Sequence, residues 1–221
     1  MSDHSKVKRK ASRLALEKTM QFMAMTRAKP YDRDVAVEAA MRIFWEKGYE
    51  GTSLKDLESA LSMKPGSIYA AFKSKENLFL LAMERYFHNS LNLLNDARLT
   101  CESPMQALNT MINSIATGGS RDHRSPPCFL LKTVLTTSPD NKTVFSKARF
   151  YLDAIRQEFA SLLREAVQAG ELDAETDIEK LAMWLQSQIN ALRVEAQRDP
   201  NEPRLSWLAQ EIITHLGSFR S

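Results

Sequence analysis

GYEGTSLKDLESALSMKPGSIYAAFKSKENLF, residues 48–79, is the stretch that decides the fold. It begins with Gly48, a residue that ends helices because it adopts a left-handed backbone without steric cost. Thr52 and Ser53 follow, and either hydroxyl can accept from the free N–H groups of a new first turn. Leu54, Leu57 and Leu61 then recur at three- and four-residue spacing, which predicts a short helix with one apolar face. Ser62-Met63 breaks it. Pro65 stands where the first turn of a third helix tolerates proline, with Ile68 and Phe72 facing inward. Ser74 caps a fourth helix with a long apolar series, Leu78, Phe79, Ala82, Met83, Tyr86 and Phe87.

Helical punctuation continues on both sides of this stretch. Asp32 or Asp34 can cap a helix that carries Ala36, Ala40, Ile43 and Phe44 at helical spacing and stops at Gly48. Beyond Pro104 the pattern predicts helices over about 104–116, 127–137, 140–169, 176–198 and 203–219. Gly118-Gly119 through Pro126-Pro127 reads as a loop, and Gly170 ends the longest helix. No alternation of strand type and no repeat is present. The expected fold is all-α, with about nine helices and a basic N-terminal arm.

Bulk properties narrow the function classes. The chain has 221 residues, 26% of them charged, with 7 Gly and 8 Pro, a mix that favours helix. Net charge is only +3, but it is unevenly placed. Residues 1–103 hold 17 Lys and Arg against 13 Asp and Glu, while residues 104–221 hold 13 against 14. The excess is densest in residues 1–29, through Lys8, Arg9, Lys10, Arg13, Lys18, Arg27 and Lys29, as a polyanion partner would require. Such a stretch also reads as a solvated basic tail. Two cysteines are too few for a disulfide framework, no apolar run approaches a bilayer span, and residues 6–18 carry charges where a secretion signal needs an apolar core. The expected location is cytoplasmic. His4, His88, His123 and His215 are scattered, and no phosphate-binding Gly-rich loop or nucleophile motif occurs, so no enzyme, metal or cofactor is expected.

Two short helices joined by a tight turn and braced by a longer helix form a helix-turn-helix. Its second helix can enter a major groove, where base edges present distinguishable donors and acceptors. Between Ser62 and Lys75 there are three lysines and no acid, as an approach to phosphates needs.

These residues resemble the N-terminal domain of the TetR family, the tetracycline-repressor-like regulators. The likeness is carried by Gly48-Tyr49-Glu50-Gly51-Thr52-Ser53-Leu54, then Leu57, then Gly66-Ser67-Ile68-Tyr69-Ala70-Ala71-Phe72-Lys73-Ser74-Lys75-Glu76-Asn77-Leu78-Phe79. Pro127-Cys128-Phe129-Leu130-Leu131 before Ser138-Pro139 is similar to the family's sixth helix, and Ala-Gly-Glu-Leu at 169–172 to the end of its seventh. The resemblance implies DNA contacts from Ser53, Lys55, Lys64, Ser67, Tyr69, Ala70 and Lys75, with Phe72 buried. It also implies that Cys128 is a small packing residue, against the redox-sensing reading that Arg121, His123 and Arg124 upstream invite. One departure concerns Ala70 and Ala71, where members often carry a large side chain. Alanine offers only a methyl group, so base reading falls to Lys55, Lys64 and Ser67 or to operator shape.

For the C-terminal half the resemblance implies a cavity for an unknown small-molecule effector. Met111, Phe129, Phe145, Tyr151 and Trp184 are the candidate lining residues, with Met105 and Phe159 as further ones. It also implies a homodimer through the last two helices, whose apolar residues are Ile178, Leu181, Leu185, Ile189 and Leu192, then Leu205, Leu208, Ile212, Ile213 and Leu216. The expected organisation is an arm over 1–30, a DNA-binding domain over 31–80 and an effector and dimerisation domain over 81–221. The expected function is that of a ligand-responsive repressor holding a palindromic double-stranded operator, with no membrane partner. An activator or global regulator of the same fold, and a helical ligand-binding or scaffold protein without DNA binding, are the alternatives.

Overall fold

The computed structural model describes residues 32–117, 127–138, 140–198 and 203–219. The basic arm, the loop through 118–126, and with them Arg121, His123 and Arg124, lie outside the described residues. The chain divides into two compact units, residues 1–36 and 37–221. Of the first, only Asp32 through Ala36 is described, where Asp32 rather than Asp34 caps the first helix by accepting from the N–H groups of Asp34 and Val35.

Among the described residues there are nine helices and no strand: α1 (Arg33–Gly51), α2 (Leu54–Leu61), α3 (Pro65–Phe72), α4 (Lys75–Thr100), α5 (Pro104–Ala116), α6 (Phe129–Thr136), α7 (Lys142–Gln168), α8 (Ile178–Arg198) and α9 (Arg204–Gly217). The breaks fall where local chemistry puts them. Gly48 interrupts α1 with φ 78° and ψ 173°, a region that essentially only glycine occupies. Gly170, at φ 72°, follows the 27-residue α7. Ser53, Ser74, Ser103 and Asn141 each accept from the N–H three residues on, capping α2, α4, α5 and α7.

Gly48 matters twice, because its carbonyl also accepts the hydroxyl proton of the buried Thr52 at 2.6 Å. A Cβ added at Gly48 would meet nothing closer than 4.0 Å, so the cost of a side chain there is backbone strain alone. Gly48→Ala is expected to destabilise the fold by about 1–3 kcal/mol. Urea denaturation followed by circular dichroism measures this, and an unchanged midpoint would contradict the strained assignment.

The acidic run 171–179 is explained by caps and pairs. Glu171 Oε2 accepts from the N–H of Met105, placing a carboxylate on the first turn of α5. Asp177 accepts from the Lys180 N–H at the start of α8, and Glu179 pairs with Arg164 of α7.

Most of the core lies among α4, α5, α7, α8 and α9. Leu94, Leu108, Ile112, Leu162, Leu163, Leu185, Ala209 and Leu216 are buried there together. No helix of the described residues is long and apolar enough to cross a membrane.

Candidate nucleic-acid interface

The helix-turn-helix is assembled from short-range bonds. At the start of α2, Ser53 and Asp56 form a reciprocal cap. The Asp56 N–H donates to Ser53 Oγ, while the Ser53 N–H and hydroxyl both donate to Asp56 Oδ2, at 2.8 and 2.7 Å. Asp56 also receives Lys47 Nζ of α1. Those hydrogen bonds, from Lys47 first and then Ser53, hold the Asp56 carboxyl far below the usual carboxylate range. Asp56 is thereby paired with a lysine from the bracing helix.

The turn is sharp because Ser62 takes a left-handed conformation, φ 52°, and donates its N–H to Glu58 O. Lys64 then extends into α3 with Pro65 at its first position. Ile68 and Phe72 anchor α3 inward. Gly66, Ser67, Tyr69 and Ala70 are left exposed, and Ala71 is half-buried. The chain leaves α3 through Lys73, φ 68°, and Asn77 Nδ2 donates to Phe72 O at 3.0 Å, closing the end of α3 from α4. This role of Asn77 is not legible from nearby residues, since the bond depends on how α4 turns back.

The implied contact residues fall on this surface in two groups. Lys55, Lys64, Ser67, Tyr69 and Ala70 are all exposed, and Tyr69 keeps 46% of its surface, unusual for an aromatic ring with nothing over it. Ser53 and Lys75 are differently placed. Both donors of Ser53 already serve Asp56, so a phosphate there would exchange with that carboxylate. Lys75 Nζ lies 4.6 Å from the centroid of the Tyr49 ring, half-buried, and desolvation lowers its pKa.

Behind the helix-turn-helix, rings connect it to the rest of the unit. Phe79 of α4 meets Phe44, Tyr49 and Phe129 edge-on at 4.8, 4.9 and 5.3 Å. Tyr86, about two turns further along the same face of α4, meets Trp45 at 5.1 Å and Phe129 at 5.8 Å. Trp45 Nε1 donates to Pro127 O at 2.7 Å, and Lys132 Nζ donates to the carbonyls of Trp45 and Glu46.

A cavity of about 230 Å³ opens among α4, α5, α7 and α8. Met111 and Phe159 line it, together with Leu91, Ile155, Ile189 and Arg193. Phe129, Phe145, Tyr151 and Trp184 lie elsewhere. Phe129 packs into the ring cluster just described, Tyr151 stacks on Phe87 at 4.6 Å, Arg149 lies over Phe145, and Trp184 packs against His215 of α9. Met105 is buried in the core.

The sequence model described as "Bacterial regulatory proteins, tetR family" matches residues 36–82, and "Tetracyclin repressor-like, C-terminal domain" matches residues 104–209. The chain is 30% identical over 185 residues to the HTH-type transcriptional repressor ComR of Escherichia coli K12, covering 83% of this chain and 88% of that one. Among solved structures, a cysteine-substituted form of the TetR family regulator CifR, in complex with 26-base-pair operator DNA, superimposes with a TM-score of 0.77 at 28% identity. That match covers 85% of this chain and 98% of CifR. A TetR family regulator from Cytophaga hutchinsonii shares the fold, with a TM-score of 0.76 at 20% identity over 88% of this chain and 98% of that one. Helix-turn-helix, nine-helix frame and relatives agree: this chain belongs to the TetR family of bacterial transcriptional regulators.

Proposed function

We propose that the protein is a ligand-responsive repressor that holds a two-fold operator as a homodimer, with α3 in the major groove. The observation that carries the reading is the surface of α3. Lys64, Ser67, Tyr69 and Ala70 stand exposed over a helix whose inward side chains Ile68 and Phe72 are buried, that helix carries no acid, and Asp56 of α2 is paired with Lys47. Lys55 of α2 adds charge beside it. Lys64 and Lys55 meet phosphates, Tyr69 reaches a phosphate oxygen through its phenol, and Lys75 anchors the flank from the first turn of α4. Ala70 presents a methyl group to the groove, so sequence preference comes from Lys55, Lys64, Ser67 and operator shape. The organisation into a DNA-binding domain over 31–80 and an effector and dimerisation domain over 81–221 belongs to the same proposal.

Dimerisation is assigned to the outward faces of α8 and α9. Leu181, Leu185, Ile189, Leu192, Leu205, Ile212 and Leu216, the strongest apolar positions, are spent on the chain's own core. What they leave outside is Met183, Val194 and Trp207, exposed by 54, 47 and 59%. Met183 and Val194 lie on one face of α8, about three turns apart. A paired copy covers these side chains and sets the separation of the two α3 helices, about 34–36 Å for successive turns of one duplex face.

Salt dependence tests the contact surface. Purified protein is expected to bind duplex DNA from around its own gene with an affinity that falls steeply with salt. Lys64→Ala and Lys55→Ala each remove one phosphate contact from each subunit of the dimer, and each is expected to reduce the slope of log affinity against log salt by about 1.8. Wild-type slopes in both variants, or no specific binding by the parent protein, would sink the reading.

A further inference from the structure

We infer that the cavity among α4, α5, α7 and α8 takes a small monocarboxylate with an apolar body, its carboxylate on Arg193. The inference rests on the ligand-responsive reading above and names the chemical class of the ligand.

The argument begins with an unbalanced charge. Arg193 Nη1 donates to Tyr86 Oη at 2.7 Å, and Cys128 lies beside both groups. Burial pushes the Tyr86 phenol well above its ordinary range, so this partner is neutral and does not compensate the cation. Among the described residues no carboxylate pairs with Arg193. A guanidinium drawn below the surface without a counter-ion is costly, and it presents five donors in a fork that fits a carboxylate in bidentate fashion. Among the described residues the one acid on the cavity lining is Asp96, which is solvent-exposed and forms no ion pair with Arg193. Asn190, three residues before Arg193 and one helical turn away, lines the same space and supplies a second polar group.

Ser90, Thr100, Thr110, Ser114 and Gln186 also line the space, but most of the wall surface is apolar and suits an apolar body. Leu94, Ala97, Phe159 and Ile189 are buried, while Met111, Ile155 and Leu91 are half-buried. At about 230 Å³ the space exceeds the roughly 150 Å³ that suffices for benzene, so a ring or a short acyl chain is enough to fill it. An aromatic acid or a chain of six to eight carbons fits these limits. The sequence left the effector's chemistry open, because nothing local marks Arg193 as different from a solvated helical cation.

The position of Arg193 also connects occupancy to the helix-turn-helix. A carboxylate competes with Tyr86 for the guanidinium, and the Tyr86 ring lies edge-on to Trp45 of α1. Binding of this class therefore acts on the contact that joins the cavity to the DNA-binding helices.

Calorimetric titration of the DNA-free full chain with benzoate, hexanoate and octanoate, against benzyl alcohol, hexanol and octanol, tests the inference. At least one acid is expected to bind tenfold or more tightly than its matched alcohol. Arg193→Met is expected to erase that preference, and Arg193→Lys to retain part of it, which separates loss of charge from loss of fold. Equal binding of acid and alcohol, no binding of any acid at millimolar concentration, or full acid preference in Arg193→Met would overturn it. Acid binding to the DNA-free protein without release of operator DNA would leave the ligand class standing and defeat the ligand-responsive reading instead.

Discussion

Phe79→Ala is expected to destabilise the protein by about 3–5 kcal/mol, a large share of the 5–15 kcal/mol that holds a typical domain together. Phe79 has no exposed surface. Its ring is the hub at which Phe44 of the first segment of α1, Tyr49 beyond the Gly48 break, and Phe129 of α6 converge. Truncation removes three edge-on ring contacts, each worth about 0.5–1.5 kcal/mol beyond area burial, and leaves a void between α1, α4 and α6. Collapse into that void is resisted because Phe44 and Phe129 are themselves fully packed. Phe79→Leu keeps most of the volume and is expected to cost less than half as much. Urea denaturation of both variants measures the difference, with an unchanged m-value showing that stability alone has moved. A loss under about 1 kcal/mol in Phe79→Ala would mean that the hub is not where stability concentrates.

The helices were legible because their punctuation acts within a turn. Gly48, Ser53, Pro65, Ser74 and Gly170 each exert their effect on backbone groups two to four residues away, so each boundary follows from nearby residues. Asp32 and Asp34 could not be separated in advance, since both are acids of the right type and only the entry angle of the chain decides between them. The inward faces of α2, α3 and α4 were legible for the same local reason.

The cavity was not. Phe129, Phe145, Tyr151 and Trp184 are large and lie at helical spacing, but spacing identifies an apolar face without saying whether the space in front of it closes. In front of Phe129 and Tyr151 it closes, with Phe79, Tyr86 and Phe87 as the occupants. In front of Met111 and Phe159 it stays open. Arg193 was invisible for a different reason: its partner Tyr86 lies 107 residues away, and a lone arginine on a helix has no signature of burial. The apolar stripes of α8 and α9 showed how many faces those helices had to cover, but the most apolar stripe went to the chain's own core. The outward face is marked instead by isolated exposed residues such as Trp207.

In Lys132→Met the operator affinity of the ligand-free protein is expected to change little, while the drop in affinity caused by ligand shrinks about tenfold. Lys132 reaches across from α6 to the carbonyls of Trp45 and Glu46, just ahead of the Gly48 break, at 2.9 and 2.8 Å. It places a cation on the negative end of the first segment of α1, where that segment has carbonyls without helical partners. Hydrogen bonds from a charged donor contribute about 1.5–3 kcal/mol, and tenfold corresponds to about 1.4 kcal/mol, so losing this clamp is enough to change the coupling by the stated amount. Trp45 Nε1, bonded to Pro127 O, is the second fastening between the same two elements. On the proposed ligand-responsive reading, a shift of α6, which begins directly after the cavity residue Cys128, would pass through them to the helix that braces α2 by way of Lys47 and Asp56. Methionine keeps the stem that packs under the ammonium group and removes only the donors. The comparison is of operator dissociation constants with and without saturating ligand, in the parent protein, Lys132→Met and Lys132→Arg, alongside amide exchange in residues 42–48. Arginine should preserve the coupling and methionine should not, with faster exchange confined to that turn. Equal ligand response in all three proteins would show that the connection runs through the Tyr86 and Trp45 rings without the Lys132 clamp, because those rings are untouched by the substitution.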